Sequence, residues 1–127
     1  MFKLESHSRA LVALEPDARF ECTWDETNQK VIEDWRGDSS KRPSESALQA
    51  KIKEIEDGEG MELLRKERDR RLLETDWMGQ ADYPITQAWK DYRQALRDLP
   101  ASASPVVDYD SPDMSGVKNV TWPTKPS

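Results

Sequence analysis

The chain has 127 residues and a formal net charge of −6; charged residues make up 35% of it, as large a share as the apolar ones. An acidic chain cannot replace the counterions around phosphate, which argues against nucleic acid as a partner, and no apolar run is long enough to span a membrane. A single cysteine, Cys22, excludes an intrachain disulfide framework. Mean hydropathy is −0.92, yet five Trp and three Tyr set the chain apart from disordered sequences. The composition predicts a thin core of aromatic and leucine contacts, completed by another chain.

Met1 to His7 is polar and lacks the basic and apolar regions of a secretory signal, so a cytoplasmic location is expected where the protein is made. Ser8 is placed to cap a short helix over Arg9 to Leu14, stopped at Pro16. Arg19 to Trp24 alternates strictly, with Phe20, Cys22 and Trp24 on one face of a half-buried strand. Asp25 to Gln29 is turn-like, and Lys30 to Trp35 reads as the returning strand. Its alternation is less clean, because Val31 and Ile32 face opposite ways. A two-stranded hairpin is marginal alone and must pack on a helix or pair with a partner.

Gly37 to Pro43 is a linker. Ser44 can cap the next helix, in which Leu48, Ile52 and Ile55 form one narrow apolar stripe. Asp57-Gly-Glu-Gly60 is expected to end or kink it, and Met61 restarts a helical pattern that runs to Trp77. This leaves open whether residues 44–77 form one helix or two. Gly79 and Tyr83-Pro84 then punctuate a turn. Beyond it Trp89, Tyr92, Leu96 and Leu99 fall at i, i+3, i+7 and i+10, the stripe of a second helix ending at Pro100. Two such helices joined by a short loop make an αα-hairpin. From Ala101 onward the chain is expected to be flexible and extended, with Trp122 as a detachable anchor.

Candidate chemistry is sparse. His7 is the only histidine, and the expectation is that it is exposed. Cys22 lies mid-strand on the apolar face, where a small buried hydrophobe is favoured over a nucleophile. One Cys and one His cannot fill a structural zinc site, and no phosphate-cradling glycine loop is present. No catalytic residue, metal or cofactor is therefore assigned. Thr75-Asp76-Trp77 is more informative. Thr75 or Asp76 can accept backbone N–H bonds at a helix boundary, Trp77 supplies a large apolar anchor, and Arg93 and Arg97 can reach across to Asp76 or Glu74. These residues either fix the turn or bind a partner, and both roles can hold together.

Arg65 to Trp77, then Trp89 and Tyr92 to Pro100, then Val120-Thr-Trp-Pro123 together resemble the phage tail assembly chaperone-like family over residues 61–126. The match departs from the family pattern at Gly58 and Gly60, and at Met78-Gly79. The resemblance implies an assembly or adaptor role, not catalysis: a non-enzymatic protein that binds a phage tail or tail-fibre component during morphogenesis. The alternative is a permanent structural adaptor of the virion tail or fibre; a small glycan-acting enzyme is least favoured. The expected location is host cytoplasm during assembly, with retention in the virion tail as the alternative, and self-association as a homo-oligomer stays open. Candidate partner-binding residues are Thr75, Asp76, Trp77, Trp89, Tyr92, Arg93, Leu96 and Trp122. Of these, Trp77, Trp89, Tyr92 and Leu96 are expected to be buried anchors.

The expected fold class is α+β, mostly α. A small N-terminal β-hairpin with its linker occupies 1–43, and a linking helix and the C-terminal αα-hairpin occupy 44–100. An extended, proline-containing tail follows over 101–127.

Overall fold

In the computed structural model, which describes residues 2–127, the element order is three helices and two small strand pairs: α1 (Phe2–Leu14), β1 (Phe20–Asp25), β2 (Lys30–Trp35), α2 (Glu45–Leu73), α3 (Gln87–Ser102), β3 (Val106–Val107) and β4 (Val117–Lys118). Met1, which opens the polar N-terminal stretch, lies outside the described residues. The architecture is α+β and mostly α, as expected. Two compact units, 1–56 and 57–127, divide the chain inside α2.

In the first unit, α1 is longer than the sequence suggested. Ser8 does not cap it but lies at its midpoint. The buried face is Ser6, Ala10 and Leu11, and two of these three are too small or too polar to register as an apolar stripe. The Ser6 hydroxyl donates to Glu56 Oε1 at 3.0 Å, so its burial leaves no unmet polar atom. The core is Ala10, Leu11 and Leu48, with Phe20, Cys22, Trp35, Ile52 and Ile55 packed around it. Ser44 accepts the Ala47 N–H at 3.2 Å and caps α2 as its sequence position implied.

Strands β1 and β2 are antiparallel, with Phe20 opposite Trp35, Cys22 opposite Glu33 and Trp24 opposite Val31. The second strand alternates after all. Val31, Glu33 and Trp35 are its less exposed residues and Ile32 faces out, so the inward set contains a charge. Glu33 is tolerated there because Arg42 grips it with two nitrogens, at 2.8 and 2.9 Å, and the His7 ring nitrogen lies 2.9 Å away. His7, expected to be exposed, is spent in this cluster. The hairpin turn is closed by Asp25, whose carboxylate accepts the N–H groups of Thr27 and Asn28.

Helix α2 runs unbroken from Glu45 to Leu73. Gly58 and Gly60 therefore do not end it, and residues 44–77 contain one α-helix followed by the start of a short 3₁₀ turn. Gly58 has open space around it. Gly60 is buried against the Pro105 carbonyl, where an added Cβ would sit 2.9 Å from the oxygen. Close approach of the backbone explains this glycine, not helix termination.

The second unit buries Leu64, Met78, Tyr92, Leu96 and Val117. Helix α3 is capped by Thr86, which accepts the Trp89 N–H at 3.4 Å. Pro100 does not end this helix; it lies in its last turn, two residues before Ser102, with no N–H of its own to donate back to the Leu96 carbonyl. Trp89 and Leu99 are half-buried beside Tyr92 and Leu96, so the stripe read from the sequence is the packed face.

After α3 the tail forms β3 and β4, paired antiparallel, around a loop closed by its own side chains. Ser111 Oγ accepts the Gly116 N–H at 3.0 Å, and Asp113 accepts the backbone and hydroxyl of Ser115 at 3.0 and 2.6 Å. Gly116, at φ +84°, turns the chain back against the Leu63 side chain.

Candidate functional site

The corner between α2 and α3 is where the candidate residues gather. The last carbonyls of a helix have no partner within it and must find one elsewhere. Here Arg93, on the second turn of α3, supplies it: one guanidinium nitrogen donates to the Leu72 carbonyl at 3.0 Å and also to the Thr75 hydroxyl oxygen. The other donates to Asp76 Oδ1 at 3.0 Å. A cation at a helix C-terminus also answers the helix dipole.

Thr75 is buried, but neither it nor Asp76 plays the expected part of accepting backbone N–H bonds. The Thr75 hydroxyl donates to the Leu72 carbonyl at 3.2 Å while accepting from Arg93. Arg97 does not cross the corner; it bonds the Gln94 side chain at 3.3 Å. Glu74 is taken by Arg70 and by Lys125 of the tail.

Trp77 is not a buried anchor. Its indole N–H donates to the Glu74 carbonyl at 3.1 Å, capping another helix-end oxygen. That bond fixes the ring at the surface, where it is 50% exposed. The ring meets Tyr83 edge to face at 4.7 Å, and Leu73, four residues earlier, is 70% exposed. The buried apolar role falls instead to Met78, a residue the sequence reading passed over as a departure from pattern. Trp89 meets Tyr92 edge to face at 5.8 Å, so one ring of that pair is half-buried and the other buried.

Trp122 is not brought to the corner. Its ring lies under the Arg71 guanidinium at 4.0 Å, and Lys125 reaches Glu74, just past the end of α2, at 3.5 Å. The tail is thus laid along its own helix. Arg71 also bonds the buried carboxylate of Glu67 at 3.0 Å. Hydrogen bonds from Arg70, helped by Arg71, hold Glu67 below the usual carboxylate range against the opposing effect of burial.

The other reactive groups lie in the first unit. Burial pushes the Cys22 thiol up, which keeps it protonated. No cluster of His, Cys, Asp or Glu among the described residues is arranged to hold a metal ion, and no helix among them is long and apolar enough to cross a membrane.

No curated protein and no solved structure matches the chain. A family model described as phage tail assembly chaperone protein matches residues 61–127, just over half of the chain, and takes in the corner, α3 and the tail. The chain belongs to the phage tail assembly chaperone family.

Proposed function

We propose that the protein acts in phage tail assembly without catalysing a reaction, by binding a tail or tail-fibre component in the host cytoplasm. The observation that carries this reading is the exposed corner formed by Leu73, Trp77 and Tyr83. An aromatic ring held at a surface by a hydrogen bond, as Trp77 is by the Glu74 carbonyl, and not needed to fill a core, is the kind of group that anchors a protein interface. A protonated Cys22 and a His7 engaged by Glu33 offer little to an enzymatic alternative.

The test is affinity capture of the phage's own tail and tail-fibre proteins from infected cells, with wild type and with Leu73→Ala/Trp77→Ala. Loss of capture in a variant that still melts cooperatively supports the reading; undiminished capture removes the corner from it. Mass spectrometry of purified particles separates a transient binder, absent from them, from an adaptor that stays in the tail.

A further inference from the structure

Beside its buried stripe, α3 carries a second stripe of Lys90, Arg93 and Arg97 at i, i+3 and i+7. These cations line one wall of a cleft of about 460 Å³ whose other side includes Met78, Tyr83 and Ile85. The only carboxylate among the lining residues is Asp91, and it already accepts from the Gln87 amide at 2.8 Å. Arg93 is committed to the corner, but Lys90 and Arg97 are exposed and form no ion pair among the described residues. A donor-rich cleft of positive balance, with Tyr83 and Ile85 in its lining, stands out on a chain of net charge −6.

We propose that this cleft binds an extended acidic segment of the tail component, with one apolar residue held between two carboxylates. The proposal rests on the assembly reading and names the chemistry of the segment bound. Lys90 and Arg97 are seven residues apart on a helix, roughly 10 Å along its axis. In an extended chain, residues i, i+2 and i+4 face the same way and the outer two are about 13 Å apart. Long cationic side chains close that small difference. The fitting pattern is Asp/Glu, any residue, apolar, any residue, Asp/Glu. The carboxylates meet Lys90 and Arg97, and the apolar side chain enters over Tyr83 and Ile85.

The experiment probes an array of overlapping peptides from the phage's tail and tail-fibre proteins with the full chain. Affinities of selected peptides are then measured against wild type and Lys90→Glu/Arg97→Glu. The expected result is selection of peptides with the stated pattern, binding that falls steeply as salt is raised, and a loss of at least about tenfold in the variant. A peptide with its two acids changed to Lys should bind the variant better than wild type, which also guards against simple misfolding; Lys90→Ala/Arg97→Ala is the milder second variant. Capture of tail peptides without acidic preference, equal in wild type and variant, overturns the cleft and leaves the assembly reading standing. Failure to bind any tail peptide or intact tail protein overturns both. A preference for a DNA duplex, or a self-association abolished by the variant, overturns the proposal in favour of another occupant.

Discussion

The guanidinium of Arg71 lies 4.0 Å from the centre of the Trp122 ring, and the same side chain bonds Glu67 and approaches Asp113 of the β3–β4 loop at 3.8 Å. One residue of α2 therefore holds the tail and steadies the loop. A cation over an indole face contributes about 0.5–2 kcal/mol depending on its hydration. A double-mutant cycle of Arg71→Met and Trp122→Ala, read by denaturant unfolding, should return a coupling in that range. Hydrogen exchange of residues 119–126 should quicken in both single variants. A coupling of zero would mean that Trp122 is held by something other than Arg71.

Arg93 closes the end of α2 with a planar fork that reaches three oxygens, those of Leu72, Thr75 and Asp76. Arg93→Met should lower stability by about 1.5–3 kcal/mol, the range for a hydrogen bond to a charged group. Arg93→Lys should recover little, since one ammonium cannot span the same set. Full recovery in the lysine variant would show that charge alone matters at the corner.

The two glycines of α2 should respond in opposite directions to alanine. Gly58 has nothing within 4 Å of an added Cβ, so Gly58→Ala should stabilise by about 0.5–1 kcal/mol through helix propensity. At Gly60 the obstacle is the Pro105 carbonyl oxygen at 2.9 Å, a backbone atom that cannot rotate aside. Gly60→Ala should cost about 1–3 kcal/mol. Thermal melts of both variants decide it, and the same sign for both would contradict the packing described.

Acid should weaken the fold through Glu33 and Glu67. Arg42 is the main cause holding Glu33 below the ordinary carboxylate range, and Arg70 holds Glu67, each against burial. A carboxylate with a depressed folded pKa binds protons less readily than it does in the unfolded chain. Its stabilisation is complete above the unfolded value and is lost as pH falls through the folded one. The urea midpoint should hold from neutrality to about pH 5 and then decline. Glu33→Gln and Glu67→Gln should each lower the neutral midpoint and flatten the acid limb; a limb of unchanged slope in both would place the acid sensitivity elsewhere.

Much of this arrangement was legible in the chain. Alternation at Phe20, Cys22 and Trp24 gave the first strand, Leu48, Ile52 and Ile55 gave the core-facing stripe of α2, and Trp89 through Leu99 gave the packed face of α3. These succeed because periodicity reports which side is dry. What escaped depends on contacts distant in sequence. The buried face of α1 uses Ser6 and Ala10, whose fit is set by what packs over them. Glu33 faces inward only because Arg42 and His7 are brought to it. Gly60 looked like a breaker because its neighbour, Pro105, is 45 positions away. Trp77 looked like an anchor by its size, yet its indole N–H ties it to a carbonyl at the surface. Pro100 reads as a stop, but α3 carries it in its last turn and runs two residues further, to Ser102.

The contact between Gly60 and Pro105 also says where the second unit can be cut. The segment matched by the family begins at residue 61, one position after the glycine on which the Pro105 carbonyl rests. Glu59, whose carboxylate accepts the Tyr109 hydroxyl at 2.7 Å, lies on the same discarded side. A fragment excised at the boundary of sequence similarity would begin in mid-helix, lose both supports and leave four amide N–H groups of α2 without acceptors. One begun a turn or two earlier keeps both supports. The limit of resemblance and the limit of physical autonomy thus fall at different residues.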